Sequence, residues 1–405
     1  MVEIAILGFG VVGGGAAEVL TENKKLIASH CGDEIHIKYI LDLREFSDHP
    51  LGDRVIHDFD IILQDPEVKI VLEMMGGSHP AYDYSKAALL SGKSVVTSNK
   101  EVVSTFGVEL LQLAKEKGVS YLFEASVGGG IPIIRPMQTD LSSNKILAVS
   151  GILNGTTNYI LTKMKDEGAE FSDALKEAQR LGYAEANPAA DVEGIDAARK
   201  ITILAALAFG KLQDPKTVPT TGITKITKEH SAVAERFGCA LKLIGHTEEI
   251  DGKLLSFVQP CLVPSSNPIS HVDGVFNGIL VDADMLGRSF FYGAGAGKLP
   301  TASAVVADVI QIAKSLQKPP KCPIWKAAEA RDLAPIDSYV CRRVYVVEGC
   351  HKCAEKALAA FGSNRVEFFD GGFFALLTPA ISGEEADKAF AKTGLSAKFV
   401  LPVLD

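Results

Sequence analysis

The first third of the chain alternates continuous apolar runs with longer stretches suited to helices. Runs at residues 2–7, 35–41 and 69–73 predict strands, and the last has the unbroken hydrophobicity of a parallel strand buried on both faces. Helices are expected at 11–29, 82–90 and 102–117, and further strands at 94–97 and 120–123. This alternation predicts an α/β fold with a doubly wound parallel sheet.

The pattern changes at about residue 145. A predicted strand at 146–153 is followed by several helices and then by long strand-like runs at 240–248, 254–262 and 278–283. These runs predict a middle α+β domain with a sheet of its own. Near Gly293 the chain is rich in glycine, a helix is expected at 303–316, and Pro319, Pro320 and Pro323 predict a linker.

The last stretch predicts a small separate module. The expected elements are a strand at 343–347, a helix at 352–361, strands at 366–369 and 373–377, a helix at 384–392 and a strand at 398–403. This βαββαβ order is the split βαβ, or ferredoxin-like, arrangement. We therefore expect three domains, formed by residues 1–150 with 293–330, residues 151–292, and residues 337–405.

Charge and hydropathy narrow the function classes. A net charge of −9 leaves no basic stripe for phosphates, so nucleic-acid binding is not expected. The apolar runs are too short to span a bilayer, and the N-terminus has no basic segment followed by an apolar one. We expect a cytoplasmic protein with no membrane partner.

The seven cysteines are scattered, which is typical of reduced thiols and not of a disulfide framework. One pair is closer, in the segment Cys350-His351-Lys352-Cys353. Three interpretations stay open for this pair: a redox pair at a helix start, half of a metal site, or two thiols on an ordinary helix.

A glycine-rich segment follows the first predicted strand and opens the first helix. Glycines at these places let the backbone turn tightly and approach a pyrophosphate at the helix N-terminus. Within a βαβ unit this GxGxxG pattern indicates a Rossmann-type dinucleotide-binding domain, with a glycine-rich turn that holds no ligand as the alternative. The candidate cofactor-binding residues here are Gly8, Phe9, Gly10, Val11, Val12 and Gly13.

The end of the second strand bears on cofactor choice. Asp42 lies where a carboxylate suits a ribose 2′-hydroxyl and repels a 2′-phosphate. Arg44, two residues later, has the opposite preference, because it can pair with a phosphate or neutralise Asp42. We favour NAD over NADP.

Two further loops follow strands and are expected to face the cofactor. Ligands of open α/β sheets bind at the carboxyl ends of strands, so polar loop residues there belong near the nicotinamide. Lys100 has a second interpretation, a solvated lysine at a helix start. The candidates in these loops are Met74, Gly76, Ser98, Asn99 and Lys100.

The chain places two charges at the start of an apolar helix. Asp196 and Lys200 are four residues apart, so they share one face of a helix, and the run 201–207 that follows is strongly apolar. A buried lysine is costly unless it is paired or functional. The two interpretations are a structural ion pair and a general acid/base lysine beside carboxylates.

Six segments, in order, resemble the homoserine dehydrogenase family. They are residues 8–13, 95–100, 124–132, 151–160, 182–200 and 293–305, and the resemblance spans essentially the whole chain. It implies reversible, NAD(P)-dependent reduction of L-aspartate 4-semialdehyde to L-homoserine, a step toward threonine and methionine.

The resemblance also implies roles for individual residues. Lys200 would be the proton donor and acceptor at the substrate oxygen, and Lys100 would lie by the nicotinamide and the substrate. Gly182 and Gly297 would approach the cofactor, and segment 293–305 would close back onto the nucleotide-binding domain. The implied substrate-binding residues are Glu185, Asp191, Asp196, Gly155, Thr156 and Tyr183.

A cation site and a regulatory module are implied as well. Glu124, with the carbonyls of Val127, Gly129 and Ile131, resembles the family's monovalent-cation site, usually sodium, and a plain turn is the alternative. The C-terminal module resembles an ACT domain, which senses amino acids. Its usual Pro-Gly after the first strand is here Glu348-Gly349-Cys350. Binding of an amino-acid effector such as threonine is therefore open, with dimerisation as the alternative role.

The resemblance implies a homodimer built through the middle domain's sheet. Two rival functions stay open: another amino-acid dehydrogenase on the same fold, and a sensor that binds NAD without catalysis. Lys100 and Lys200 favour an enzyme, because a sensor needs no general acid.

Overall fold

The computed structural model describes residues 1–317, 323–363 and 365–405. Contacts divide the chain into two compact units. The first contains Met1–Lys145, Thr202–Pro215 and Phe291–Ala328, and the second contains Ile146–Ile201, Lys216–Phe290 and Glu329–Asp405. The three-domain boundaries expected from the sequence stay a prediction.

The secondary structure is mixed throughout. The strands are β1 Val2–Leu7, β2 Ile35–Leu41, β3 Val55–Ile56, β4 Val68–Glu73, β5 Ser94–Thr97, β6 Tyr121–Leu122, β7 Ile146–Ile152, β8 Lys211–Leu212, β9 Cys239–Ile250, β10 Lys253–Pro264, β11 Phe276–Ala283, β12 Gly287–Ala294, β13 Lys326–Ala327, β14 Arg343–Glu348, β15 Arg365–Phe369, β16 Phe373–Leu377 and β17 Ala397–Pro402. The helices are α1 Val11–Glu22, α2 Lys24–Cys31, α3 Phe59–Gln64, α4 Ala81–Leu90, α5 Lys100–Lys117, α6 Ile134–Gln138, α7 Gly155–Glu167, α8 Phe171–Arg180, α9 Ala189–Val192, α10 Ile195–Phe209, α11 Lys228–Arg236, α12 Lys298–Lys314, α13 His351–Phe361 and α14 Gly383–Ala391.

The first unit contains the predicted doubly wound sheet. Its six strands are all parallel, in the order β3-β2-β1-β4-β5-β6, which confirms the α/β prediction. Ile70, Val71 and Leu72 of β4 are fully buried, as an unbroken apolar run requires. The strand order reverses between β1 and β4, and such a switch point is where open α/β sheets bind ligands.

Helix α12 packs on α1 in this unit. A Cβ atom placed on Gly15 would lie 2.9 Å from the Lys298 carbonyl oxygen and 3.2 Å from Ala302 Cβ, so only glycine permits this close helix contact. The helix was expected to begin at residue 303 but begins at Lys298. Pro300 lies in its first turn, where the missing N–H of proline costs no hydrogen bond.

The second unit has a five-stranded sheet in the order β10-β9-β7-β11-β12. Strands β9 and β10 form a long antiparallel hairpin whose turn residues Asp251 and Gly252 have φ of 49° and 77°. An Asp-Gly pair between two apolar runs is a hairpin signal.

Helix α7 is tied to this sheet by buried polar groups. The Asn158 amide donates to the carbonyl oxygens of Val272, Gly274 and Phe276 at 3.0–3.1 Å. The Lys242 ammonium, only 1% exposed, donates to the Asn158 side chain at 3.2 Å and to Val272 O at 2.6 Å. These contacts fix the start of the helix on which two candidate substrate residues, Gly155 and Thr156, lie.

The C-terminal residues form a four-stranded antiparallel sheet in the order β15-β16-β14-β17, with α13 and α14 in the connections. Its apolar centre includes Tyr345, Phe361 and Phe374. The chain end pairs with β10 through a hydrogen bond from Leu404 N to Leu262 O at 2.9 Å, so this module belongs to the second unit.

Several expected boundaries differ from the structure. The single helix predicted at 11–29 is two helices separated at Asn23, whose φ of −98° and ψ of 17° are not helical. Asparagine favours such breaks because its side chain competes for backbone hydrogen bonds. The strand predicted at 120–123 is only Tyr121–Leu122. The elements that the sequence did not reveal are the short α3, α6, α9, β3, β8 and β13 and the eight-residue edge strand β12.

Pro319 and Pro320 of the predicted linker lie outside the described residues, and Pro323 has no regular secondary structure. Among the described helices, we find none with the length and hydropathy needed to cross a bilayer.

Candidate active site

The glycine segment forms the turn from β1 into α1. Gly8 has φ of +88°, and a Cβ on Gly13 would lie only 2.0 Å from the Gly8 carbonyl oxygen. A Cβ on Gly10, which precedes the first helical residue, would meet nothing within 4 Å. The turn is therefore closed on the protein side and open on the other, where the N-terminal amides of α1 can bind a phosphate.

Asp42 is bound to this turn. Its Oδ2 accepts a hydrogen bond from Phe9 N at 2.7 Å, and its side chain is 9% exposed. Arg44 donates to both oxygens, at 3.0 and 2.9 Å, and this guanidinium holds the pKa of Asp42 well below its usual range. A fixed negative charge at the end of β2 suits a ribose diol.

The ends of β4 and β5 are joined by buried polar contacts. Glu73 accepts hydrogen bonds from Thr97 Oγ1 at 2.6 Å and Met75 N at 2.7 Å. Asn99 donates to Gly77 O at 2.7 Å. Burial raises the pKa of Glu73 to about 7. Glu73 begins one of the two loops expected to face the cofactor, but the sequence did not assign it a role of its own.

The other candidates of these loops lie at the same sheet edge. Ser98 Oγ is 3.7 Å from the sulfur of the buried Met74, and Gly76 is exposed. Asn99 caps α5 by accepting from Glu101 N and Val102 N, and Lys100 is the first, half-buried residue of that helix. Together with the open glycine turn and Asp42, these loops fit a dinucleotide laid along the carboxyl edge of the sheet.

Lys200 lies in a charged cluster inside the second unit. Its Nζ is 2.9 Å from Asp196 Oδ2 and donates to Leu153 O at 2.7 Å, and its side chain is 9% exposed. Asp196 lies in the first turn of α10, where a negative charge is favoured by the helix dipole. An opposite charge at this distance favours the ammonium form of a buried lysine.

Asn154 connects this pair to a second carboxylate. Its Nδ2 donates to Asp191 Oδ1 at 2.7 Å and to Asp196 Oδ2 at 3.0 Å. Its Oδ1 accepts from Thr157 N at 2.9 Å and so caps α7. The sequence candidates did not include Asn154, but an asparagine directly before a helix is a capping signal that points to a fixed position.

The start of α7 carries two more candidates. A Cβ on Gly155 would lie 2.5 Å from Val275 O, so this position requires glycine. Thr156 Oγ1 donates to Tyr183 O at 2.5 Å, and the ring of Tyr183 packs edge-on against Tyr159. Both contacts hold the loop after α8 against α7.

Three candidates lie apart from the hydrogen-bonded cluster. Glu185 is exposed, and its backbone carbonyl oxygen accepts a hydrogen bond from the Gln179 side chain at 3.1 Å. Gly182 belongs to the second unit and has φ of +77°, and Gly297 belongs to the first and has φ of +120°. Glycine is needed at both positions for the backbone conformation alone.

In the loop after β6, Glu124 binds the backbone. Its carboxylate accepts hydrogen bonds from the backbone amides of Ile133, Ile134 and Arg135 at 2.7–2.8 Å, so it caps α6. No hydrogen bond between described residues ends on the carbonyl oxygens of Val127, Gly129 or Ile131. The described residues contain no group of three or more His, Cys, Asp or Glu side chains able to hold a metal. Carbonyl oxygens are thus the ligands that this loop offers to a hard cation.

Two family models, both described as homoserine dehydrogenase, match this chain. The pattern described as homoserine dehydrogenase, NAD binding domain, matches residues 8–124, and the homoserine dehydrogenase pattern matches residues 132–310. The chain belongs to the homoserine dehydrogenase family. It is an NAD(P)-dependent oxidoreductase that interconverts L-homoserine and L-aspartate 4-semialdehyde, a step of threonine and methionine biosynthesis.

Individual relatives agree with this assignment. The homoserine dehydrogenase of Neisseria gonorrhoeae is 43% identical over 319 residues, which are 78% of this chain and 73% of that protein. The crystal structure of a homoserine dehydrogenase from Thiobacillus denitrificans has a TM-score of 0.90 and 35% identity, with coverage of 100% and 98% of the two chains. A hyperthermophilic archaeal homoserine dehydrogenase in complex with NADPH has a TM-score of 0.65 and 28% identity, with coverage of 76% and 97%. The two rival functions are not favoured.

The glycine turn gives the first prediction. In Gly13→Ala the new Cβ would overlap the Gly8 carbonyl oxygen, so the turn must open and the dissociation constant for NADH should rise at least about tenfold. NADH fluorescence titration measures this. Gly14→Ala is the matched control, since its Cβ would meet nothing within 4 Å. Equal affinities of the two variants would refute the steric role of Gly13.

Glu73 gives a pH prediction. Its pKa is raised from 4.5 to about 7, so between these pH values the folded state binds more protons than the unfolded state. The contribution of Glu73 to the unfolding free energy therefore falls as the pH rises through this range. Between about pH 5.5 and pH 8.5 the unfolding free energy of the wild type should fall by about 2 kcal/mol more than that of Glu73→Gln. Urea titrations measure this, with Glu22→Gln on the exposed face of α1 as control. Parallel pH profiles of wild type and Glu73→Gln would contradict the raised pKa.

Proposed function

We propose that Lys200 is the proton donor and acceptor of this homoserine dehydrogenase. The observation that carries the proposal is a lysine ammonium that is buried, paired with Asp196 at 2.9 Å and bound to Leu153 O at 2.7 Å. A bound nicotinamide cofactor supplies or accepts the hydride at the substrate carbon.

The chain's own residues handle the proton. When the aldehyde is reduced, negative charge develops on its oxygen, and an ammonium within hydrogen-bond distance stabilises that charge and donates a proton from Nζ. In the oxidation of homoserine, the neutral amine of Lys200 accepts the hydroxyl proton. Asp196 favours the charged form and holds the side chain in one orientation.

The carboxylates around Lys200 suit the α-ammonium group of the amino-acid substrate. We assign this role to Asp191 and Asp196, which Asn154 holds in place, and to Glu185. Gly155, Thr156 and Tyr183 complete the substrate site, because the first two begin α7 and the third is bound to Thr156.

Lys100 and the glycine turn serve the cofactor side. Lys100 begins α5 at the carboxyl edge of the parallel sheet, and we assign its charge to the nicotinamide and substrate. Gly8–Gly13, Met74, Gly76, Ser98 and Asn99 would bind the dinucleotide, and Gly182 and Gly297 would lie close to it.

NAD is the preferred cofactor in this proposal. Asp42 is ionised and nearly buried, and a carboxylate at this place accepts hydrogen bonds from a ribose diol and repels a 2′-phosphate. Arg44 is occupied by both oxygens of Asp42. The NADPH bound by the archaeal relative shows that the same fold accommodates the phosphorylated cofactor in that protein.

The remaining assignments are a cation site and a regulatory module. The carbonyl oxygens of Val127, Gly129 and Ile131 support a sodium site in which the Glu124 carboxylate has a capping role. The strand order of the C-terminal sheet supports a ferredoxin-like, ACT-like module with an amino-acid effector as its candidate ligand. Exposed Met285, Leu286 and Phe290 beside the edge of the five-stranded sheet support a homodimer.

Loss of Lys200 should remove the proton step. In Lys200→Met, kcat for homoserine oxidation should fall by about 10²- to 10⁴-fold, while the dissociation constant for NADH stays unchanged. Initial rates and NADH titration measure the two quantities. Lys176→Ala, at an exposed lysine of α8, is the control.

Removing Lys200 alone takes away the positive charge that lies 2.9 Å from the buried Asp196 carboxylate, which destabilises the protein. If the single variant does not fold, the double variant Asp196→Asn/Lys200→Met removes both charges, and Asp196→Asn alone is its reference because Asp196 is itself assigned to the substrate. A kcat within about threefold of the wild type in a folded variant would exclude Lys200 as the proton donor.

Asp42 should determine cofactor choice. Asp42→Ser removes the repulsion of a 2′-phosphate and releases Arg44, so the ratio of kcat/KM for NADP to that for NAD should rise at least about tenfold. Asp48→Ser, an exposed position in the same loop with the same change in charge, is the matched control. An unchanged ratio in Asp42→Ser would remove Asp42 from cofactor selection.

A further inference from the structure

Cys350 and Cys353 lie in contact at the start of α13. Their sulfur atoms are 3.7 Å apart, Cys350 is exposed and Cys353 is half-buried. Cys350 precedes the first helical residue, and its carbonyl oxygen accepts from Cys353 N at 2.9 Å and Ala354 N at 3.1 Å. A disulfide bond is about 2 Å long, so rotation of one side chain can join these sulfurs without a large movement of the backbone.

Gly349 leaves room for the Cys353 thiol. A Cβ on Gly349 would lie 2.9 Å from Cys353 Cβ and 3.1 Å from its sulfur, so any larger residue there would displace the thiol. His351 packs its ring against Phe368, with centroids 4.1 Å apart. A metal is not favoured, because no cluster of three or more ligating side chains occurs in the described part of the chain.

Three other cysteines contrast with this pair. Burial raises the pKa of Cys239, of Cys261 and, to about 11, of Cys341. The pKa of Cys350 is lowered, mainly by a hydrogen bond from the backbone N–H of Cys353. The Cys353 thiol and the backbone of Lys352 add further hydrogen bonds with the same effect. Exposed thiolates at helix N-termini are the reactive class of cysteine, whereas buried thiols are inert.

We propose that Cys350 and Cys353 form a redox-active dithiol that exchanges with low-molecular-mass disulfides. The Cys350 thiolate attacks one sulfur of the external disulfide, which releases one thiolate and leaves a mixed disulfide on Cys350. Deprotonated Cys353 then attacks the Cys350 sulfur and releases the second thiolate. The two protein thiols lose two electrons and two protons, and the external disulfide is reduced to two thiols.

The product is a disulfide between Cys350 and Cys353 that fixes the segment between β14 and α13. A dithiol restores the reduced pair by the reverse exchange. This site lies on the C-terminal module and does not involve any residue that we assign to substrate or cofactor.

Tryptic cleavage tests the proposal directly. Trypsin cuts after Lys352, so Cys350 ends up in peptide 344–352 and Cys353 in peptide 353–356. After the full-length protein is incubated with millimolar glutathione disulfide and digested without reductant, most of the two peptides should remain joined, and dithiothreitol should separate them. Separate, unmodified peptides after this treatment would overturn the proposal.

Two variants test the order of attack. In Cys353→Ser, glutathione should stay attached to peptide 344–352, because the resolving thiol is missing. In Cys350→Ser, peptide 353–356 should acquire glutathione at least about tenfold more slowly than peptide 344–352 does in Cys353→Ser. The rate at Cys31, which is half-buried, is the internal reference and should also be at least about tenfold slower than at Cys350. Equal rates at all three cysteines would show that the pair has no special reactivity.

Discussion

A charged side chain that is only 9% exposed is stable when an opposite charge lies beside it, and in the second unit Lys200 depends on this condition. Asp196 supplies the charge from one turn earlier on the same helix. Leu153 accepts from the ammonium, and Asn154 donates to the carboxylate while it caps α7. The end of β7, the start of α7 and the start of α10 are therefore held together by one ion pair and its hydrogen bonds. Asp196, which binds the substrate in our proposal, is also the residue that compensates this buried charge.

In the first unit, the close approach of Gly13 to Gly8 holds the functional site in shape, as the ion pair does in the second. Gly13 and Gly8 approach so closely that a side chain on Gly13 cannot be accommodated, and this contact shapes the turn that presents the amides of α1. Asp42 is bound to the same turn through Phe9 N. The ends of β4 and β5 are joined by the hydrogen bond between Glu73 and Thr97. Burial of this carboxyl group is unfavourable, but the hydrogen bond holds the two following loops in fixed positions. Rigid loop ends of this kind are what a positioned cofactor requires.

The cysteines show how environment alone separates residues of one type. Cys261 is fully buried among apolar side chains and Cys341 nearly so, and both have raised pKa values. Cys350 is exposed at a helix N-terminus, within contact of a second sulfur. The buried cysteines of the second unit are thus inert, whereas Cys350 at its surface is the reactive one in our proposal.

The sequence by itself determined the parallel sheet, the glycine turn and the pairing of Asp196 with Lys200, because alternation of strands and helices, GxGxxG and an i,i+4 spacing are local patterns. It also determined the family, because six such segments occur in order. Only the tertiary structure decided that Asn154 contacts Asp191 and Asp196, which are 37 and 42 residues away, and that the Glu124 carboxylate caps α6. These contacts depend on how separate elements pack, and a buried polar group takes whichever partner the packing brings near, which spacing along the chain does not reveal.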